Sequence, residues 1–258
     1  MVLRRFYDKL KGHDWASATV ELLIVVVGIF LGLQAANWND DRIERSLERG
    51  YLIRLHEDIL VSARGQERDL NLLEQQLADQ AVILSALDNC RFSENDSLAI
   101  QRGISALGLL NPPRLFRRTI DDLAATGRTD IIRNEEIKAE LAAIVAEVEF
   151  RASVMQSVFR HVEHHRHTIE DQVRYDVSRP ISGSFFSVAV AFDIEKLCNE
   201  PRNAAAISSI SFYTRDRLRA FQQLLERYRE FLPLVEGELR SRWGYRVAGQ
   251  DRADPATP

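Results

Sequence analysis

The chain has 258 residues, of which 45% are hydrophobic and 28% are charged, and its formal net charge is −4. This composition supplies enough apolar side chains for a core of one or two domains. The sequence has no basic block and no basic stripe interleaved with aromatics, so we expect no nucleic-acid partner. It also lacks a Gly-rich phosphate loop, a nucleophile elbow and an ordered catalytic triad, so we expect neither an enzyme nor a bound cofactor.

An apolar segment near the N-terminus, residues 16–38, is long enough to cross a lipid bilayer. Residues 22–33 carry no polar side chain, and Trp15 and Trp38 bracket the segment where indoles favour the headgroup region. A cleaved signal peptide is the alternative. Cleavage after the small residues that end the run would leave Leu33 or Gln34 where the A-x-A pattern requires a small side chain. We therefore predict an uncleaved transmembrane anchor.

The orientation of the anchor follows from its flanks. Basic residues are almost equally frequent before and after the span, but a short basic tail ahead of a first helix usually stays inside. We predict that residues 1–15 are a cytoplasmic tail and that residues 39–247 form a helical extracytoplasmic domain. In a bacterium, this would place the anchor in the inner membrane and the domain in the periplasm. Residues 248–258 are polar and Pro-containing, and we expect a disordered tail.

One face of the anchor carries small residues and an acid. Glu21, Gly28, Gly32 and Ala35 recur at spacings that place them on one helical stripe. Gly28-x-x-x-Gly32 is a pattern that lets two helix backbones approach closely, and an acid within the span should face protein or water. The stripe predicts self-association or a partner helix. The alternative is a lone span in which the glycines are incidental and Glu21 reaches the surface.

Beyond the anchor, apolar residues recur at spacings of three and four, which is typical of amphipathic helices. The pattern predicts these helices: residues 39–87, 113–125 (starting at Pro113), 135–177 and 203–243. We expect turns at residues 93–97, a helix C-cap at Gly127, an N-cap at Asn134 and a kink or break at Pro233. Residues 185–192 could be extended or a buried loop.

The fold class is therefore all-α, with the transmembrane helix continuing into an elongated antiparallel bundle of long, coiled-coil-like helices. Cys90 and Cys198 both lie near ends of predicted helices, and a shared end of the bundle would bring them together. In an oxidising compartment they could form a disulfide. The alternative is two unrelated thiols.

His161 and His165 have the i, i+4 spacing that can chelate zinc or copper on one helix face. No third ligand is identifiable in the sequence, so the alternatives are a solvated face or a pH-sensitive contact. Arg114, Arg117 and Arg118 also cluster, which predicts a site for an anion or an acidic partner. The alternatives are a solvated face or ion pairs with Asp121 and Asp122.

Two stretches of the chain resemble a widespread, uncharacterised bacterial family with one N-terminal span. The first stretch contains Glu21, Gly28-Ile29, Leu33-Gln34 and Asn37-Trp38-Asn39. The second runs through residues 122–127 and 131–134 to Ile137 and Leu141, similar to the family's Leu-x-x-Thr/Ser-Gly-x-Leu-x-Leu-Ile-x-Asn run. Asp130 stands where that family usually has an apolar residue. The resemblance implies no activity, substrate or cofactor, but it agrees with reading the membrane boundary as one unit.

We therefore expect a membrane-anchored helical protein that acts by protein–protein assembly, either as a homo-oligomer through its anchor or with another protein partner. A sensory module is the first alternative, in which a ligand in a pocket between helices shifts one helix against another. The second alternative is a metal-binding protein that uses the cluster from His161 to His167.

Overall fold

The computed structural model describes residues 15–180 and 188–245, with side chains described from residue 21 onward. These residues form six α-helices, one 3₁₀ turn and one two-stranded antiparallel sheet, so the predicted all-α class is confirmed. The helices are α1 (Trp15–Asn89), α2 (Glu94–Ser105), α3 (Arg118–Ala125), α4 (Glu135–Glu170), α5 (Ile194–Cys198) and α6 (Pro201–Trp243). The strands are β1 (Arg174–Pro180) and β2 (Val188–Ala191). Of the predicted tail at residues 1–15, all but Trp15 lies outside the described residues, as does the predicted tail at residues 248–258.

The chain divides into two units, residues 1–50 and residues 51–258. In the first unit, the apolar side chains of residues 22–33 are exposed on every face of α1. Within the described part of the chain, α1 is the one helix long and apolar enough to cross a membrane, as the sequence predicts. A Cβ built at Gly28 or Gly32 would meet no described atom within 4 Å, so both backbones are open.

In the second unit, α6 lies antiparallel to both α1 and α4. Four side-chain contacts establish these directions: Asn134–Glu238 at 2.9 Å, Arg151–Gln223 at 3.1 Å, His56–Glu236 at 2.9 Å and Arg217–Gln76 at 3.2 Å. In each pair of helices, residue numbers rise along one helix as they fall along the other. The predicted antiparallel packing is therefore confirmed for these three helices.

Three buried aspartates on α1 bind three arginines from the segment that follows it. Asp58, Asp69 and Asp79 are between 1% and 5% exposed and lie about three helical turns apart. Their partners are Arg118 for Asp58, Arg114 for Asp69 and Arg102 for Asp79. The Arg102 guanidinium binds Asp79 through two nitrogens, at 3.0 and 2.7 Å, a geometry that strengthens and orients an ion pair.

Residues 106–117, here called the strap, run along α1 without forming a helix. The amide of Arg114 donates to Gln66 Oε1 at 3.2 Å, and the amide of Phe116 donates to Ser62 Oγ at 2.8 Å. On the other side, the buried Tyr228 hydroxyl of α6 donates to the Arg114 carbonyl at 2.6 Å. Burial raises the pKa of Tyr228, so it stays a donor. These bonds occupy the backbone groups that a helix would need.

The prediction that a helix begins at Pro113 is therefore wrong, because α3 begins at Arg118. Arg117, the N-cap, makes no side-chain cap of its own in the described structure. The buried carboxylate of Asp58 replaces it by accepting the amide of Thr119 at 2.8 Å. A negative charge there also favours the helix dipole, so α1 determines where α3 starts.

The turn predicted at residues 93–97 is also wrong, because α2 begins at Glu94. The amide of Ser93 donates to Asp96 Oδ2 at 3.0 Å, which makes this stretch a capping box with aspartate in the place of the usual glutamate. The Ser93 hydroxyl, which donates to the same oxygen at 2.8 Å, and the Ser93 amide lower the pKa of Asp96. Serine, aspartate and asparagine favour both turns and helix starts, which explains the error.

The predicted helix over residues 135–177 ends earlier, at Glu170, and residues 174–180 instead form β1. Tyr175 of β1 pairs with Val190 of β2, so the part of the 185–192 run that is described, Val188–Ala191, is extended. Residues 181–187 lie outside the described residues. Alternating apolar residues such as Val173 and Tyr175 suit a strand as well as a helix end, so the helical period could not place the boundary.

Of the kink or break predicted at Pro233, the break is wrong, since α6 continues through it to Trp243. Pro233 is exposed, whereas its neighbours Phe231 and Val235 are fully buried and hold the helix against the core. The caps predicted at Asn134 and Gly127 are confirmed. Asn134 Oδ1 accepts the amides of Glu136 and Ile137 at 3.0 and 3.2 Å, and Gly127 has φ +64°.

Close packing of α2 on α1 requires a glycine at position 103. A Cβ there would lie 2.6 Å from Ile83 Cδ1 and 3.3 Å from the backbone carbon of Asp79. We expect Gly103→Ala to lower the free energy of unfolding by about 1–3 kcal/mol, because α2 must move away from α1. Chemical denaturation of the full chain in detergent measures the effect.

Gly237→Ala on α6 is the matched control, since a Cβ there meets nothing within 4 Å among the described residues. It should raise the free energy of unfolding by about 0.5–1 kcal/mol through helix propensity. Equal effects of the two substitutions would contradict the close contact at Gly103.

Candidate functional site

The core of the second unit consists of two apolar clusters separated by polar residues. On α1, Leu73 belongs to the first cluster and Ile83 to the second. On α6, Phe221 belongs to the first and Ile210 to the second. Between them lie buried polar residues, of which four are here called the polar layer: Gln76, Gln80, Thr214 and Arg217. The polar layer therefore interrupts the apolar core of the bundle.

Hydrogen bonds within the polar layer are incomplete. Gln80 Nε2 donates to Thr214 Oγ1 at 3.5 Å, and the two Nη atoms of Arg217 donate to the Leu109 carbonyl at 3.0 Å and to Gln76 Oε1 at 3.2 Å. Three buried atoms find no partner within the described structure: Gln76 Nε2, Gln80 Oε1 and Arg217 Nε. Each such atom costs about 1–3 kcal/mol if it stays unpaired. The unpaired atoms of the polar layer therefore lower the stability of the folded bundle.

Arg217 is the charged member of this layer and is 8% exposed. Burial lowers the pKa of its guanidinium to about 10, and the nearby charge of Asp69 partly opposes that shift. The group therefore remains a cation at neutral pH. Among the described residues it makes no direct ion pair, since Asp69 binds Arg114. A buried cation with incomplete pairing is a feature that helical cores rarely retain without a purpose.

At the same level, α4 and α6 leave an apolar opening between them, here called the α4–α6 groove. Its volume is about 230 Å³. The apolar side chains that line it are Phe150, Val154, Met155 and Val158 of α4, Tyr213, Ala220 and Phe221 of α6, and Leu110 of the strap. Phe150 is 68% exposed, although phenylalanine in a soluble bundle is usually buried.

The exposed apolar surface extends beyond the groove on both sides. Phe212 is 67% exposed and packs edge-on against Tyr213 at a ring separation of 5.4 Å. Across α4, Phe159 lines a second depression that shares Leu110 and Met155 with the groove. Contiguous apolar patches of this kind mark interaction sites more often than scattered single residues do.

Charges of both signs lie at the rim of the groove. Arg151 on α4 binds Glu147 of its own helix and Gln223 of α6. Asp216 on α6 is exposed and makes no ion pair within the described part of the chain. An apolar centre with a charged rim is the ordinary composition of a protein–protein contact.

The predicted metal ligands lie next to this surface. The His161 ring stacks on Tyr213 with centroids 6.3 Å apart, and His165 meets the edge of His164 at 5.5 Å. His167 Nδ1 lies 3.2 Å from Glu170. The described residues contain no group of three or more histidine, cysteine or acidic side chains arranged to hold a metal ion. Metal binding by His161 and His165 stays a prediction.

The predicted arginine cluster is largely engaged within the protein. Arg114 and Arg118 bind the buried aspartates of α1, and Arg117 binds Asp121 at 3.3 Å and Glu149 at 2.7 Å. The sequence prediction of ion pairs with neighbouring acids is thus confirmed only for Arg117. The other two arginines hold the strap and α3 in place.

The remaining predicted residues lie in two places. Glu21, Gly28, Gly32 and Ala35 are exposed on α1 in the first unit. Cys90 and Cys198 come together in the second unit, where their sulfurs lie 3.9 and 3.8 Å from the adjacent carbonyl oxygens of Leu87 and Ala86. Both are thiols in the structure. The prediction that a shared end would bring them together therefore agrees with the fold.

The polar layer and the groove were not identified from the sequence. Their signal was present, because the buried face of α1 runs through Leu73, Gln76, Gln80, Ile83 and Leu87 at alternating spacings of three and four. Glutamine at two successive core positions of such a seam marks an interruption. The partner, Arg217, is 141 positions away from Gln76 and could not be assigned without the fold.

Comparison with known proteins identifies no relative. No protein-family model matches the chain, and neither a curated protein nor a solved structure does. The resemblance to an uncharacterised bacterial family therefore stays a prediction, and the function must be argued from the geometry.

Replacing both partners of one polar contact should stabilise the bundle. In Gln80→Leu with Thr214→Val, the unpaired Gln80 Oε1 disappears and apolar groups join the two clusters, so we expect the free energy of unfolding to rise by about 1–2 kcal/mol. Chemical denaturation of the full chain measures this change.

Arg217→Leu is the comparison variant. It should lower stability, because the Leu109 carbonyl and Gln76 Oε1 both lose their donor. Stabilisation by Arg217→Leu and loss of stability in the double variant would contradict this account of the layer.

Proposed function

We propose that this protein is a membrane-anchored assembly protein whose helical domain contacts a second copy of the same chain through the α4–α6 groove. The observation that carries the proposal is the contiguous apolar surface around that groove, with Phe150 and Phe212 about two-thirds exposed. Covering this surface would remove aromatic area from water, which is the main favourable term in association.

The charges at the rim favour a second copy as the occupant. In a two-fold symmetric dimer, the same patch of each copy contacts the other. A residue on one side of the patch then faces a residue from the other side of that patch in the second copy. Asp216, which has no ion pair in the described part of the chain, would then be available to pair with an exposed cation of the other copy, such as Arg215. A patch that holds both signs around an apolar centre is self-complementary in this way.

The anchor supports the same proposal. Its Gly28 and Gly32 backbones are open, and Glu21 and Ala35 lie on the same stripe, so two anchors can approach closely within the lipid. Two domains tethered to paired anchors are present at high effective concentration, on the order of millimolar. A modest apolar contact between the domains is then sufficient for assembly.

We place the anchor in a bacterial inner membrane, with the N-terminal tail in the cytoplasm and the domain in the periplasm. The apolar length of α1 supports the membrane span, the basic tail supports the orientation, and the resemblance of the boundary residues to a bacterial family supports the source.

The two alternatives have less support. A ligand sensor needs polar groups that converge on an enclosed pocket. The groove is open and lined mainly by apolar side chains, and the Nη atoms of Arg217 already donate to protein acceptors. A metal protein needs a third ligand beside His161 and His165, and none converges on them among the described residues. Assembly, by contrast, requires only the exposed apolar surface around the groove.

Photo-crosslinking tests the groove directly. A photoreactive amino acid replaces Phe150 or Phe212 in the full chain, and intact membranes are irradiated. We expect an adduct at twice the 29.5 kDa chain mass from both positions, because each faces the second copy. Val177 on β1, which is 83% exposed and outside the groove, is the control and should give no such adduct. Adducts only with other proteins, or no adduct, would rule out the groove as a contact between copies.

The anchor is tested separately with a transmembrane association reporter that carries residues 10–40. We expect Gly28→Ile with Gly32→Ile to reduce the association signal several-fold, because bulky side chains separate the backbones. Val26→Ile with Phe30→Ile changes the opposite face and should leave the signal unchanged. An undiminished signal in the glycine variant would mean that this stripe is not the interface.

A further inference from the structure

Two cysteine-bearing turns meet at one end of the second unit. Cys90 follows the last residue of α1, and Cys198 is the last residue of α5. The Cys198 Sγ lies 3.8 Å from the carbonyl oxygen of Ala86, and the Cys90 Sγ lies 3.9 Å from that of Leu87. The two sulfurs therefore contact adjacent carbonyls of the same helical turn, although 112 positions separate Ala86 from Cys198.

The position of each turn is fixed by other contacts. Leu197 of α5 is buried in the second apolar cluster, and its carbonyl accepts a hydrogen bond of 2.8 Å from the fully buried Asn203. Next to the cysteines, the rings of Phe92 and Phe192 pack with centroids 5.5 Å apart. The two thiols are thus held side by side by packing that does not depend on them.

Cys90 has an unusual backbone for its residue type. Its φ is +49°, and it is the one non-glycine residue with a positive φ among the described residues. The amide of Arg91 donates to the Ala86 carbonyl at 3.2 Å, which makes the end of α1 a Schellman motif. Glycine normally occupies the left-handed position of that motif because a Cβ is strained there. Strained backbone conformations cluster at functional sites, so a cysteine held in one indicates a functional role for its side chain.

We propose that Cys90 and Cys198 form an intramolecular disulfide that ties the end of α1 to α5. The inference depends on the geometry of the second unit alone and does not rest on the assembly proposal. Cys90 is exposed, so its thiolate can attack an external disulfide, either that of a thiol–disulfide oxidoreductase or glutathione disulfide. The Cys198 thiolate then attacks Cys90 Sγ and releases the second thiol of the oxidant.

The reaction balances in this form. The two protein thiols lose two electrons and two protons, and the external disulfide is reduced to two thiols. Desolvation of the Cys198 thiol and its interaction with Cys90 raise the pKa of Cys198 to about 11, and Glu195 adds to the shift. Cys198 is therefore mostly protonated at neutral pH, and the position of Cys90 beside it offsets the small thiolate fraction in the second, intramolecular attack.

The test uses the full chain, purified in detergent and reduced, then equilibrated with glutathione and glutathione disulfide. Intact-mass analysis should show loss of two hydrogens in a species that runs as a monomer on a non-reducing gel. Oxidation should raise the Tm by about 5 °C or more, because the bond closes a loop of more than 100 residues. Glutathione adducts without loss of two hydrogens, or a bond between two chains, would overturn the proposal.

Two variants separate the disulfide from a structural role of the cysteines. Cys90→Gly should abolish the two-hydrogen loss, yet it should raise the Tm of the reduced protein because glycine relieves the left-handed strain at this position. Cys198→Ser should also abolish the loss and leave Cys90 open to a glutathione adduct. If Cys90→Gly folds normally and the wild-type Tm is the same when oxidised and reduced, the bond does not tie the two elements together.

Discussion

The buried carboxylates of α1 are the constraint on which the rest of the second unit depends. A carboxylate that is only a few per cent exposed must be paired, and removing its partner leaves an uncompensated charge in the interior. Asp58, Asp69 and Asp79 therefore fix where Arg118, Arg114 and Arg102 lie. Through those arginines, a single helix determines the position of α2, the path of the strap and the start of α3. The strap in turn supplies Leu110, which lines the α4–α6 groove.

The polar layer and the groove lie at the same height of the bundle, since Arg217 belongs to both. On α4, the buried residues stop at Val148 and resume at Val162. Between them, Met155 and Val158 are partly buried against the two apolar clusters, whereas Phe150, Val154 and Phe159 are exposed. At this level the interior of the bundle is polar and its exposed surface is apolar, which is the reverse of the usual pattern.

Local signals predicted the helices well, but not the segments whose conformation is fixed from a distance. Asn134 and Gly127 act on backbone groups within a few residues, so their caps could be read from the sequence. Pro113 gave an equally clear signal and was misleading, because Ser62 and Gln66, some 50 positions away, hold that backbone extended. The groove could not be predicted for the same reason, since it depends on which residues of α4 and α6 meet around Arg217. The pairing of helix ends, by contrast, follows from helix length and direction, and that was enough to bring Cys90 near Cys198.

The contacts between α1 and α6 also determine the order in which the nascent chain can fold. His56 meets Glu236, and these residues are 180 positions apart, so α1 has no cover on this face until α6 has left the ribosome. At roughly 5–20 residues per second, translation of that interval takes on the order of 10–40 s. For this period the buried aspartates can find their arginines from the next segment, but the leucines and isoleucines beside them stay uncovered. This face of the growing polypeptide therefore stays open to non-native contacts until its last described helix is complete.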